Sequence, residues 1–161
     1  MIRECFIEDA AEICRIYNYY VENTTITFEE EPLAPSEIEK RISNIQSKGH
    51  PWLVYEENLQ IIGYAYASEF KSRCAYKYTL ETSFYLSHEH LSKGIGTKLY
   101  TKLIDECRKI GMHSLVGVIA VPNIPSASIC KKFGFQKAGI IKEAGFKFNK
   151  WIDIEYWQLI L

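Results

Sequence analysis

The stretch that decides the fold is Thr82-Ser83-Phe84-Tyr85-Leu86-Ser87-His88-Glu89-His90-Leu91-Ser92-Lys93-Gly94-Ile95-Gly96-Thr97-Lys98-Leu99-Tyr100. Its apolar beginning predicts a strand, a short polar loop follows, and the glycines Gly94 and Gly96 precede an amphipathic helix. Such a junction presents consecutive backbone N–H groups at the positive end of a helix dipole. Glycine has no Cβ to keep an anion at a distance. The stretch therefore predicts a site for a pyrophosphate group.

The spacing of these glycines excludes two common pyrophosphate sites. A P-loop requires G-x-x-x-x-G-K-[ST], and no such spacing surrounds Gly94. The Rossmann fingerprint requires a third glycine where Leu99 stands. A lone G-x-G also occurs as a tight turn before a helix. That alternative is less attractive because these glycines lie at the helix start, whereas a capping glycine belongs past the end.

Length and composition favour a globular protein. The chain has 161 residues, which predicts a single domain spanning 1–161 with room for a real core. Its hydrophobic fraction of 47% and aromatic fraction of 14% exclude a disordered chain. The net charge is -1 and no run of Lys or Arg stands apart from nearby acids, which argues against a nucleic-acid partner.

The cysteines and the amino terminus favour a cytoplasmic protein. There are five cysteines and no C-x-x-C pair, so a disulfide framework or a structural zinc site is not expected. Reduced thiols suit the cytosol. Met1-Ile2-Arg3-Glu4-Cys5 lacks the pattern of a signal peptide, and no apolar run reaches the ~18 residues of a membrane span. We therefore expect no membrane partner.

Apolar periodicity predicts a mixed α/β or α+β domain. One helix follows the capping-box pattern Asp9 to Glu12, and another follows Ser36 to Glu39 and stops at Gly49. A third helix opens at Gly94 and ends at Gly111, and a shorter one begins near Pro125 and stops at Gly134. The predicted strands are Ile2 to Phe6, Trp52 to Tyr55, Gln60 to Ala67, Thr79 to Leu86, Leu115 to Val121, Phe135 to Ile141 and Trp151 to Leu161, with Thr24 to Glu29 extended.

Several separated motifs resemble one enzyme family. The segment Leu91-Ser92-Lys93-Gly94-Ile95-Gly96 resembles the Gln/Arg-x-x-Gly-x-Gly/Ala motif of the GNAT superfamily of acetyl-CoA-dependent N-acetyltransferases. A second signature of the same superfamily is matched downstream, by segments that resemble it: Asn123-Ile124-Pro125-Ser126 and Lys131-Lys132-Phe133-Gly134-Phe135. Nearly the whole chain is similar to phosphinothricin N-acetyltransferases, in segments that include Ile16 to Tyr20, Pro51 to Val54, Lys71 to Tyr76, Gly145 to Trp151 and Tyr156 to Gln158. The resemblance implies a GNAT fold, a mixed central sheet flanked by helices.

The resemblance also implies how acetyl-CoA is bound as co-substrate, without a metal. The strand would pair with pantetheine amides through Phe84, Tyr85 and Leu86. The pyrophosphate would accept hydrogen bonds from Ser92, Lys93, Gly94, Ile95, Gly96 and Thr97, and the pantetheine arm would be flanked by Asn123 and Ser126. Leu91 replaces the family's Gln or Arg, which could weaken binding. Taken alone, Asn123 would be a turn residue or a helix cap.

Glu81 is the candidate catalytic residue. Acetyl transfer needs a neutral amine, and Glu81 matches the base proposed for the family. A carboxylate in a partly desolvated cleft can have its pKa raised towards working pH. Without the resemblance, a solvated glutamate at a strand end would be expected. A developing oxyanion would be met by a backbone N–H near Tyr85 or Leu86. Cys130 stands where members of the GNAT superfamily often have a Tyr that gives a proton to the departing CoA thiolate. The alternative interpretation of Cys130 is a small residue of the core with no role in catalysis.

The acceptor pocket is expected on the other side of the strand from acetyl-CoA. By resemblance, its candidates are Phe28, Arg73, Tyr76, Tyr78 and Thr79. Arg73 could bind a substrate carboxylate through two hydrogen bonds, and a solvated loop charge is the alternative. Phe148 and Ile152 stand where relatives often carry His, so acceptor preference could differ. His88 and His90 are interpreted as loop histidines, not as metal ligands.

The sequence thus predicts transfer of acetyl to the α-amine of a small amino-acid-like substrate. Phosphinothricin, methionine sulfoximine or methionine sulfone are the expected type. The transfer would be direct, without an acetyl-enzyme. The partners expected are this amine and a second copy of the chain, because many members of the family are dimers. Two alternatives stay open, an acetyltransferase for another amine and a non-catalytic sensor that binds acyl-CoA.

Overall fold

The computed structural model describes residues 1–91 and 94–161. Ser92 and Lys93, two of the predicted pyrophosphate ligands, therefore lie outside the described residues. The helices are α1 (Ala10–Asn23), α2 (Pro35–Ser47), α3 (Ile95–Lys109) and α4 (Ile124–Lys132). The strands are β1 (Ile2–Glu4), β2 (Trp52–Glu57), β3 (Gln60–Glu69), β4 (Thr79–Leu86), β5 (Ser114–Ala120), β6 (Gln136–Lys147) and β7 (Lys150–Ile160).

The strands form one mixed sheet in the order β1-β2-β3-β4-β5-β7-β6. Neighbours pair antiparallel except β4 and β5, which run parallel in the middle of the sheet. The connection between these two parallel strands contains α3, as a parallel pair requires a long crossover. This arrangement is the mixed sheet with flanking helices that the sequence predicts.

Each face of the sheet carries its own apolar core. On one face α3 packs its stripe Ile95, Leu99, Leu103 and Cys107 against residues of β3, β4 and β5. On the other face α1 and α2 cover β2 and β3 with a cluster that includes Ile13, Ile42, Trp52 and Tyr64. Because successive side chains of a strand alternate between faces, β4 contributes to both cores.

Both predicted capping boxes are wrong. Asp9 is the N-cap of α1, but its carboxylate accepts from Phe6 N–H at 2.8 Å and from the Arg3 guanidinium, so it makes no cap hydrogen bond to α1. The carboxylate of Glu12 accepts from Ile61 N–H on β3. The second helix begins at Pro35 with Ala34 as its N-cap, because proline is well suited to the first helical position. Long-range partners and one proline thus override the local pattern.

The segment between α1 and α2 is not a strand. The Thr24 hydroxyl donates to Tyr20 O at 2.7 Å and accepts from Ile26 N–H at 3.2 Å, which bends the chain where extended structure is predicted. We call residues 24–34 the α1–α2 segment. β6 also differs from the prediction, because it runs on past Ile141 to Lys147 with a register shift before Gly145.

Among the described residues, no helix is both long enough and apolar enough to cross a lipid bilayer.

Candidate active site

The two parallel strands separate at the centre of the sheet. β4 pairs with β5 from Thr79 opposite Ser114 to Thr82 opposite Gly117. Beyond that point β4 continues to Leu86 and β5 to Ala120 without pairing to one another. The four residues of β4 after Thr82 therefore have β3 on one side and a gap on the other.

Backbone alternation decides which groups face this gap. Tyr78 O accepts from Ser114 N–H at 3.1 Å, whereas Ser87 N–H donates to Ile62 O next to β3 at 2.8 Å. The N–H and C=O of one strand residue point to the same side, and successive residues alternate. Even-numbered residues of β4 thus face β5. The main-chain groups of Phe84 and Leu86 point into the gap, with Leu86 O already accepting from the Tyr20 hydroxyl at 2.6 Å.

A cleft of about 410 Å³ follows the gap and ends at the start of α3. Tyr20 and Ile26 line it on one side, and Leu91, Pro125 and Ile129 on the other. It is also lined by Phe84, Tyr85, Leu86, Gly94, Gly96, Thr97, Asn123 and Ser126, all of them predicted acetyl-CoA ligands. Ile95 is instead buried in the α3 core, with 3% of its surface exposed.

The two glycines have different roles in this cleft. Gly94 has φ of 72° and caps α3 in the left-handed region, where a side chain is strained. A Cβ on Gly96 would lie 3.5 Å from side-chain atoms of Phe84, Leu86 and Ile129. Alanine at Gly96 would thus touch the cleft wall, and any larger side chain would fill the space in front of it.

Asn123 and Cys130 are explained by local structure as well as by the cleft. The Asn123 side chain caps α4 by accepting from Ser126 N–H at 3.2 Å, which confirms the helix-cap interpretation. Cys130 is buried, and burial raises the pKa of its thiol to about 11. A small cavity of about 60 Å³, which we call the passage, lies between β4 and β5, and its lining includes Cys130 and Tyr100 from one core and Ile26 from the α1–α2 segment.

Glu81 stands where the strands are about to separate. Its Cα partners are Ser68 on β3 and Val116 on β5. The side chain shares a face with Tyr85, which packs on Tyr17 at 5.1 Å between ring centroids. Burial raises the pKa of Glu81, and Lys71 opposes that rise. A raised pKa makes the Glu81 carboxylate a stronger base, which suits the removal of a proton from an ammonium group.

Sequence reasoning missed a polar network that joins α1, the α1–α2 segment and β6. The hydroxyls of Tyr17 and Thr27 share a buried hydrogen bond of 2.6 Å. Lys147, from the far end of β6, donates to Thr27 O at 2.9 Å. These groups are distant in sequence. The one sequence feature that could have indicated the network is the presence of polar residues among apolar ones. The network fixes the α1–α2 segment above the passage.

The predicted acceptor residues fall into separate places. Tyr76 and Thr79 line a cavity of about 520 Å³ on the Glu81 face, together with Val116 and Tyr156. Phe28 lies against Gly145, where a Cβ would be 2.4 Å from its ring. Arg73 and Tyr78 are exposed residues of the β3–β4 connection, and neither lines the cleft, the passage or the 520 Å³ cavity.

The two loop histidines do not form a metal site with their neighbours. The ring of His88 stacks on Tyr19 at 3.9 Å between centroids. Within residues 1–91 and 94–161, no three His, Cys, Asp or Glu side chains come together as a metal ion would require.

Comparison with known proteins identifies the family. Residues 2–156 match the acetyltransferase (GNAT) domain. The chain belongs to the GNAT acetyltransferase family. This GNAT enzyme is 38% identical over 157 residues to the phosphinothricin N-acetyltransferase of Streptomyces viridochromogenes, and the match covers 98% of this chain and 85% of that protein. It is 33% identical over 156 residues to the L-methionine sulfoximine/L-methionine sulfone acetyltransferase of Salmonella typhimurium, covering 95% and 90%.

Solved GNAT structures agree with this assignment. A phosphinothricin acetyltransferase from Sinorhizobium meliloti, solved in complex with AcCoA, is 36% identical with a TM-score of 0.96 and covers 100% of this chain and 88% of that chain. The predicted GNAT fold and the membership in a family of N-acetyltransferases are therefore confirmed.

Proposed function

We propose that this GNAT enzyme acetylates the α-amine of a small amino-acid-like acceptor of the phosphinothricin, methionine sulfoximine or methionine sulfone type. The observation that carries the proposal is Glu81, a carboxylate with a raised pKa, standing where β4 and β5 separate. The names of the two curated relatives supply the acceptor class. The residues 1–161 would act as a single GNAT domain.

The cleft fits acetyl-CoA, which supplies the acetyl thioester when bound. Phe84 and Leu86 offer main-chain groups that do not pair with β5, at strand spacing, to the amides of pantetheine, although Leu86 O also accepts from the Tyr20 hydroxyl. Gly94 and Gly96 lie at the start of α3, where backbone N–H groups and the helix dipole favour a pyrophosphate. Ile95 and Thr97 contribute through the same turn, whereas Ser92 and Lys93 lie outside the described residues. Asn123 and Ser126 flank the arm from α4.

Two groups of this chain would act on the reacting atoms. Glu81 accepts the proton that the acceptor ammonium must lose before it attacks, directly or through water. The Leu86 N–H faces the gap and would donate to the negative oxygen that develops on the acetyl carbonyl. Tyr85 N–H faces β3 by the same alternation, so the geometry favours Leu86 for this role. The roles of Arg73, Tyr76, Tyr78, Thr79 and Phe28 in binding the acceptor remain part of the proposal.

Two properties of the whole protein belong to the same proposal. β6 is an edge strand with the exposed apolar side chains Ile140 and Ile141, and Trp151 is exposed on β7. A second copy of the chain is the expected cover for this edge, which would make the enzyme a homodimer. The five cysteines are free, as expected in the reducing cytoplasm.

The test is release of CoA thiol from acetyl-CoA across a panel of amines. The panel holds phosphinothricin, methionine sulfoximine, methionine sulfone, ordinary amino acids, spermidine and a peptide. Turnover confined to the glutamate-like and sulfone compounds is the expected result. Turnover of spermidine or the peptide alone would assign the enzyme to another amine, and acetyl-CoA binding with no turnover on any amine would favour the sensor alternative.

A further inference from the structure

Lys147 is a buried ammonium that the proposed reaction does not use. It ends β6, and only 3% of its surface is exposed. Its Nζ donates to Thr27 O at 2.9 Å, and it forms no ion pair within the described part of the chain. Burial lowers its pKa, although Glu30 and Glu29 oppose that shift. A buried charge without a paired carboxylate is costly, so its two contacts, the hydrogen bond to Thr27 O and the Phe148 ring at 5.1 Å from Nζ to the centroid, need an explanation.

Thr27 is held from two sides. Its carbonyl accepts from Lys147 on β6, and its hydroxyl shares the 2.6 Å hydrogen bond with Tyr17 on α1. The ends of the α1–α2 segment are tied separately, Thr24 to Tyr20 O at 2.7 Å and Leu33 N–H to Asn18 Oδ1 at 2.9 Å. Because the segment has no ladder of backbone hydrogen bonds, its middle depends on side-chain contacts.

Gly145 supports the same segment two residues earlier on β6. A Cβ there would lie within 2.4 to 2.8 Å of three atoms of the Phe28 ring, so the ring occupies the space that a side chain would need. Lys147 and Gly145 thus contact the successive residues Thr27 and Phe28. We call these two residues of β6 the β6 clamp.

Ile26, the residue next to the clamped Thr27, borders the candidate active site. It lines both the acetyl-CoA cleft and the passage. Phe28, two residues on, is exposed and lies against Gly145. A shift of the segment would therefore move Ile26 and Phe28, whereas the main-chain groups of β4 that face acetyl-CoA belong to another element and would stay in place.

We propose that Lys147 is a positioning residue, whose hydrogen bond to Thr27 holds the α1–α2 segment in the conformation that binds the acceptor. This inference rests on the proposed function for its kinetic consequences, but the clamp itself is a property of the chain. The observed KM for the acceptor then equals the KM of the held conformation divided by the fraction of molecules in which the segment is held, so it rises as that fraction falls.

The first test compares three variants by CoA release and acetyl-CoA titration. Lys147→Met keeps the aliphatic stem and removes the donor, so we expect the acceptor KM to rise by about tenfold or more, as for loss of a hydrogen bond from a charged group. The kcat and the acetyl-CoA Kd should stay within about twofold. Lys147→Arg retains a donor and should recover most of the affinity. Lys150→Met, an exposed lysine across the hairpin, is the matched control and should behave as the parent.

A second variant guards against a folding defect at Lys147. Gly145→Ala leaves Lys147 intact but displaces the Phe28 ring, and it should raise the acceptor KM in the same selective way. An unchanged acceptor KM in both variants, or an equal loss of acceptor and acetyl-CoA affinity, would overturn the proposal.

Amide hydrogen exchange tests the β6 clamp independently of any catalytic activity. If the parent protein turns over no amine of the panel, the proposed function fails while the clamp is still testable. Lys147→Met should then accelerate amide exchange in residues 24–34 and leave α3 unchanged. Unchanged exchange in residues 24–34 would refute the clamp whatever the enzyme acetylates.

Discussion

Replacing Glu81 by Gln should lower activity and at the same time stabilise the fold. Glutamine keeps the size of the side chain but cannot accept the ammonium proton. A positioned general base contributes about 10²- to 10⁴-fold, so kcat/KM should fall by that factor, equivalent to about 2.7–5.5 kcal/mol of barrier. Acetyl-CoA affinity should not change, because Glu81 lines neither the cleft nor the passage.

The stability effect follows from the sign of the pKa shift. Burial raises the pKa of Glu81, so the folded chain holds this proton more tightly than the unfolded chain does. As pH rises past the ordinary glutamate pKa, the unfolded state releases the proton first and stability falls. At pH 8 the folded protein carries the cost of a partly buried charge. Glu81→Gln removes that cost and should raise Tm.

The assay measures kcat/KM by CoA release from pH 5 to pH 9, with Tm by scanning calorimetry at pH 8. The kcat/KM of the parent enzyme should fall as pH falls through the raised pKa of Glu81. The kcat/KM of the Glu81→Gln variant should not show this fall. Glu69→Gln is the control, an exposed carboxylate on β3 paired with Lys48, and it should change neither quantity appreciably. If Glu81→Gln kept more than a tenth of the activity, or if its Tm fell, the assignment of Glu81 as a desolvated base would be wrong.

Three further perturbations probe the cleft, the core and the amino terminus. Gly96→Val should weaken acetyl-CoA binding at least about tenfold by calorimetry while Gly96→Ala binds nearly normally, and equal affinities would remove Gly96 from the cleft wall. Thr82→Val leaves the Tyr100 hydroxyl buried without its 2.6 Å partner and should cost about 1–3 kcal/mol, seen as a fall in Tm of about 2–12 °C, part of which Tyr100→Phe should restore. Burial raises the pKa of Asp9, but Arg3 and the Phe6 N–H together outweigh burial, so the pKa is lowered and the stabilisation by Asp9 is lost as pH falls below about 3.9. Asp9→Asn should therefore reduce the loss of stability to urea at acid pH, and an unchanged loss would contradict this.

Local patterns predicted the elements that frame the site. The glycines before α3 and its stripe of Ile95, Leu99 and Leu103 are signals within one turn or a few turns of chain, and the structure has the helix they predict. β4 runs from Thr79 to Leu86 as predicted. Such signals succeed because backbone conformation and apolar periodicity are decided over short distances along the chain.

Features that depend on distant partners were missed. The Glu12 carboxylate was predicted to complete a capping box, but it accepts from Ile61 N–H on β3. The separation of β4 from β5 depends on where pairing with a remote strand stops, and the residue types around Thr82 do not indicate that point. The contact between Lys147 and Thr27 joins residues 120 positions apart. A single sequence contains no signal for such pairings.

The parting of β4 and β5 has a consequence for how this enzyme tolerates mutation. Phe84 and Leu86 would recognise acetyl-CoA with the peptide backbone, as a sheet edge recognises an added strand. Backbone amides are the same whichever side chain a codon specifies. A saturation library along β4 should therefore reveal strong selection for packing and little for cofactor chemistry. The acetyl-CoA site would then be encoded by the topology of the sheet, which would also explain why Leu91 can replace a polar residue at the mouth of the cleft.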